Sequence, residues 1–64
     1  MILWIVGKVN KSNRKEWEFH GVFDRKDMAE EACKDDRYFI GPVKLNEVLP
    51  DDPVLWPGAY YPKE

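Results

Sequence analysis

The stretch Ile2–Val9, ILWIVGKV, is apolar on both faces of a strand. Period-two alternation points Ile2, Trp4 and Val6 one way and Leu3, Ile5, Gly7 and Val9 the other. Such a strand belongs at the centre of a sheet, with both faces covered. In a chain of 64 residues that demand is severe. One domain fits, and its surface-to-volume ratio leaves a marginal core. Small folds usually add a disulfide, a metal, association or very good packing. Cys33 is the only cysteine, so no internal disulfide is possible and a reducing compartment is expected. One Cys and one His (Cys33, His20) cannot make a four-ligand site, and no metal or cofactor is expected. Packing or association remains, and nine aromatic residues favour both.

The rest of the chain supplies partners for that strand. Asn10–Lys15, NKSNRK, has turn chemistry and predicts a loose hairpin tip, longer than a two-residue turn. Glu16–Phe23, EWEFHGVF, alternates: Trp17, Phe19, Gly21 and Phe23 on one face, Glu16, Glu18, His20 and Val22 on the other. That is a half-exposed strand, antiparallel to the first. A helix is predicted over about 25–35, with Asp24 as N-cap and Asp27 completing a capping box. Met28, Ala29, Ala32 and Cys33 form its buried stripe. A third strand follows over about 38–47, and Gly41-Pro42 within it demands an edge position or a bulge. A right-handed crossover through the helix leaves strands two and three parallel to each other. The expected fold is therefore α+β, ββαβ: a mainly antiparallel sheet in the order 2-1-3, one helix on one face, and the 48–64 tail on the other. Pro57-Gly58 marks a turn in that tail.

The run GVFDRKDMAEEACKDDRYFIGPVKLNE resembles a pattern found in small, uncharacterised bacterial and phage proteins. A strand ends in G-V-F, a short acidic stretch opens a helix with A-x-x-A spacing, and an aromatic strand ends near L-N. The matching positions are Gly21, Val22, Phe23, Ala29, Ala32, Phe39, Leu45 and Asn46. YFIGPV and LWPGAYYP depart from it. The resemblance implies the ββαβ fold and a mobile-element origin. It carries no activity.

Charge and chemistry narrow the functional classes. Formal net charge is −2, yet Lys8–Lys15 holds Lys8, Lys11, Arg14 and Lys15 with no acid, leaving −6 on the remainder. The basic tip is a candidate phosphate contact, or a solvated hairpin end. It lacks aromatics for base stacking. His20 lies beside Glu18 without a visible nucleophile, and Cys33 lies on the apolar helical stripe; both read as structural. Asp35-Asp36 and Asp51-Asp52 are sequence neighbours and do not define a catalytic cleft. Met1–Val6 is too short for a signal core or a membrane span, so a soluble intracellular protein without membrane contact is expected, and the resemblance implies the cytoplasm of a bacterial host.

The aromatic tail, LWPGAYYP, is the strongest candidate feature. Trp56, Tyr60 and Tyr61 either complete the core or offer a partner-binding patch together with Trp4. A division between Trp56 in the core and the tyrosines at the surface lies between the two. The expected function is a non-enzymatic protein-interaction module, in one form a phage- or prophage-encoded inhibitor or modulator of a host protein. The partner is another protein or a second copy, docked through Trp4 or through the edge of the second strand. The alternative is nucleic-acid or nucleotide binding through Lys8, Lys11, Arg14 and Lys15.

Overall fold

The computed structural model describes residues 1–64. Strand β1 (Ile2–Asn10) lies between β2 (Asn13–Phe23) and β3 (Tyr38–Lys44), antiparallel to both, in the order β2-β1-β3. Helix α1 (Lys26–Ala32) joins β2 to β3, and a single 3-10 turn, η1 (Pro53–Leu55), lies in the tail. The central strand is the one that is apolar on both faces, as its alternation requires. Val6 packs with Ala29, Cys33, Tyr38 and Ile40 on the helix side. Ile5 and Val9 pack with Phe39, Val43 and Trp56 on the opposite, tail side.

Two glycines decide what the tail side can hold. Gly7 and Gly41 both present their missing side chain there. A Cβ on Gly7 would lie 2.6 Å from Trp17 and 2.7 Å from Phe39; one on Gly41 would lie inside the indole of Trp56. The rings of Trp17, Phe39 and Trp56 therefore rest directly on backbone and meet edge-on, with centroids 5.4–5.8 Å apart. Each indole N–H finds a carbonyl: Trp56 Nε1 donates to Pro42 O at 3.0 Å and Trp17 Nε1 to Asp51 O at 3.2 Å. Satisfying these donors matters, because a buried unpaired one costs about 1–3 kcal/mol.

The sheet departs from simple alternation at one place. Val6 pairs with Gly21, but Gly7 pairs with Phe19, so β2 carries an extra residue at His20. This bulge corrects the predicted faces. Trp17 and Phe19 face the tail side, whereas Phe23 packs on the helix side beside Trp4. It also brings Phe19 and Val22, opposite Gly7 and Ile5, to neighbouring positions on one face. A second irregularity follows Val9, where Asn10 pairs with Asn13. The hairpin tip is consequently a tight two-residue turn at Lys11-Ser12, closed by Ser12 N to Asn10 Oδ1 at 2.9 Å. The expected longer tip is formed only in part: Lys11-Ser12 turn tightly, with asparagine side chains satisfying nearby amides, while Arg14, Lys15 and Glu16 have no register partner on β1.

The helix and third strand are shorter than predicted. α1 ends at Ala32, with Cys33 already extended. No basic residue stands in its last turn, and acidic groups oppose the helix dipole there. Asp35 Oδ1 instead accepts from Arg37 N at 2.9 Å and turns the chain back. Arg25, not Asp24, is the N-cap, and it makes no side-chain capping bond. Asp27 pairs with Arg25 at 3.0 Å rather than completing a capping box. Met28 is exposed, because so short a helix buries only Ala29 fully. β3 stops at Lys44, where a turn closes through Glu47 N to Lys44 O with Asn46 at φ 70°.

The tail then crosses the sheet. Asp52 caps η1 by accepting from Leu55 N at 3.1 Å. Trp56–Ala59 form a turn in which Gly58 takes φ 81°, the left-handed value that a Pro-Gly turn requires. Removing Trp56 should be severe. Truncating a buried tryptophan to Ala costs about 3–5 kcal/mol, and a domain of this size has only roughly 3–10 kcal/mol in total. Trp56→Ala should therefore unfold much of the population or lower the melting temperature steeply by circular dichroism. A chain cut after Leu49 should do no better. Unchanged melts would contradict the seat of Trp56 on Gly41.

Candidate functional site: the aromatic tail, the basic tip and the open edge of β2

The tail does not form a single patch. Tyr60 makes both backbone hydrogen bonds of an antiparallel bridge with Ile40, at 2.8 and 3.0 Å, on the outer side of β3. Strand alternation then sends neighbouring side chains to opposite faces. Tyr60 goes to the helix side, where its hydroxyl donates to Glu30 at 2.8 Å and Lys26 Nζ lies 5.4 Å from its ring. Tyr61 goes to the tail side, against Phe39, with the Arg14 guanidinium 4.6 Å from its ring. Placing the whole tail on one face is thus corrected: it straddles the β3 edge. Trp56 is 4 % exposed and has no surface left for a partner. Trp4 is partly buried beside α1, with Lys26 Nζ 5.9 Å from its ring, so it is no bare docking face.

The charge of the basic tip is partly offset in space by acids from outside it. Arg14 pairs with Glu64 at 2.8 Å, and that bond and charge raise the guanidinium pKa. Lys8 lies opposite Glu18 across the sheet, with its Nζ 5.7 Å from the Tyr38 ring. Arg37 approaches the same end, but its guanidinium lies 3.4 Å from Asp35. The backbone amide of Arg37, then its side chain and Lys8, hold the Asp35 carboxyl below the usual carboxylate range. Lys11 and Lys15 remain exposed. Two shallow depressions at this end mix both signs of charge, Lys8, Lys11 and Arg37 with Glu16 and Glu18 in one, Lys11, Arg14 and Arg37 with Asp35 and Asp36 in the other.

The two side chains with catalytic potential, His20 and Cys33, are each engaged by neighbours. His20 stacks edge-on against Tyr38 at 5.2 Å and lies 3.4 Å from Glu18. Cys33 is buried, with Sγ 3.4 Å from Ala29 O, and burial pushes its thiol pKa up. No three His, Cys, Asp or Glu side chains converge as metal ligands. No helix is long and apolar enough to cross a membrane.

The feature that sequence reasoning missed is Phe19. Assigned to a core face, it is 61 % exposed. Val22 beside it is 49 % exposed, and in η1, which packs near β2, Leu55 is 71 % exposed. Gly21 was the available signal for the turn of Val22 to the Phe19 side, since a glycine inside a strand pattern often marks a bulge. The outer side of β2 has no strand against it, whereas Tyr60 occupies part of the β3 edge. Comparison with known proteins finds no matching family model, no matching curated protein and no matching solved structure.

One consequence of the tail geometry can be measured. Burial first, then the hydrogen bond to Glu30 and its charge, raises the Tyr60 pKa from 10.0 to about 12. The neutral phenol is favoured in the fold, so its contribution to stability is complete below pH 10 and is lost as pH rises through 12. A phenolate absorbance titration should show a late-ionising component that is absent in Tyr60→Phe. A titration in which Tyr60→Phe removes no late component would contradict the Tyr60–Glu30 contact.

Proposed function

We propose that this chain is a non-enzymatic protein-interaction module that docks through the open edge of β2 and the apolar surface beside it. One observation carries this reading: Phe19, 61 % exposed, stands on the sheet edge that the fold leaves unpaired. Exposed strand edges take up extended segments through main-chain hydrogen bonds, with flanking side chains giving selectivity. Aromatics at such positions are frequent interface anchors. The resemblance in Gly21–Phe23 and the A-x-x-A helix supports one form of this function, a phage- or prophage-encoded modulator of a host protein, acting in the bacterial cytoplasm. Tyr60 and Tyr61 are half-buried and serve as flanking contacts at most.

Phosphate binding by the tip is the weaker reading, because Glu64, Glu18 and Asp35 offset its charge. A nuclease-treated pull-down from bacterial lysate separates the two. Wild type and Lys11→Glu/Lys15→Glu should retain a stoichiometric protein that Phe19→Lys loses. If the tip variant alone loses its ligand, or if nucleic acid is retained with a steep salt dependence, the function moves to the tip.

A further inference from the structure

The open edge has an order of charges as well as an exposed ring. From Lys15 to His20 it reads Lys-Glu-Trp-Glu-Phe-His. We propose that its occupant is β2 of a second copy of this chain, running antiparallel about a two-fold axis at Phe19, so that two copies share one continuous sheet. This rests on the reading of the β2 edge as the interaction surface and names the partner.

Register selects the axis. A two-fold perpendicular to a sheet pairs residues equally distant on either side of it and keeps each side chain on its own face, a rule that holds along β2 as far as the bulge at His20. Axes at Lys15, Glu16 or Glu18 put that charge against its own copy. An axis at Trp17 puts Glu16 against the second Glu18, twice. Like charges directly opposite each other are destabilising. An axis at His20 falls on the bulge and would set Phe19, on the tail side, against Gly21, on the helix side. An axis at Phe19 opposes no like charges: Glu18 meets His20 of the other copy on both sides of the axis, and Phe19 meets Phe19.

The side-chain directions agree with that register. Glu18 shares the helix side with His20, being opposite Lys8 while His20 stacks on Tyr38. Phe19 points to the other face, with Val22 next to it. Phe19 and Val22 of both copies then line one side of the junction. Isologous pairing also closes the assembly, since each copy uses the edge that nothing else fills. The bulge at His20 and the charges at Lys15, Glu16 and Glu18 are the devices that stop an edge from pairing indiscriminately, and among axes from Lys15 to His20 they leave one register. A second copy would supply the association that a small fold without a disulfide otherwise lacks.

The test is cross-linking. A two-fold at Phe19 places this residue against itself, within disulfide reach for facing strand positions. Under mild oxidation, Phe19→Cys should convert largely to a covalent dimer, while Glu16→Cys and wild type, whose own Cys33 is buried, should not. Sedimentation of wild type should shift from monomer to dimer as concentration rises into the millimolar range. Phe19→Lys should stay monomeric with an unchanged melt, which shows that it still folds. A wild type that is monomeric throughout, with Phe19→Cys linking no faster than Glu16→Cys, overturns the homodimer. If the wild type then still captures a lysate protein that Phe19→Lys loses, the edge remains a docking surface for a different partner. If it captures nothing, both readings fall.

Discussion

The structure depends on aromatic rings lying on glycine. Gly7 and Gly41 leave the tail side of the sheet bare at two neighbouring strands, and Trp17, Phe39 and Trp56 settle there. The contact does more than bury area. It fixes where both indole N–H groups point, and their acceptors, Pro42 O and Asp51 O, lie on β3 and on the segment entering η1. The tail is thereby pinned at two places before it reaches β3. Only 13 of 64 residues are buried, so a few large rings supply packing that a larger domain would draw from many side chains.

The architecture was legible where one residue pattern left one solution. A strand apolar on both faces had to be central, and a helix between the second and third strands gave the order 2-1-3. The turn at Pro57-Gly58 followed from the demand for a positive φ. Legibility failed where local hydrogen bonds overrode pattern. Asn10 and Asn13 tightened a tip that composition made look loose, and Asp35 ended the helix by capturing the Arg37 amide. At His20 one inserted residue reversed the facing of Phe23 relative to Trp17. Alternation has no error correction: after a one-residue slip, every later side chain lies on the other face.

Incomplete cover, rather than facing, moved the candidate site: Phe19 lies on the tail side as alternation requires, but at an edge the tail leaves open, and the slip then turned Val22 to the same side. Read by strict alternation, Phe19 belongs to the core and the aromatic tail is left to meet partners. In space, Trp56 is enclosed, Tyr60 and Tyr61 are divided between two faces, and Phe19 stands in solvent. The tip illustrates the complementary point for charge. Four cations without an acid form a basic segment in sequence, but Glu64 and Asp35 arrive at that end through the fold, and Glu18 through the hairpin register. Neither the Arg14–Glu64 pair nor the approach of Asp35 to Lys8 is encoded within any short window.

The distance along the chain between β1 and Trp56 has a temporal meaning. During synthesis the first strand emerges long before its tail-side cover. The β1–β2 hairpin and then α1 can form early, because their contacts are local, whereas the cover must close a loop of nearly the whole chain. Until that closure, Ile5 and Val9 face water on a sheet that is otherwise assembled. A chain whose tail has not closed exposes the apolar tail side of its central strand, the surface most open to aggregation.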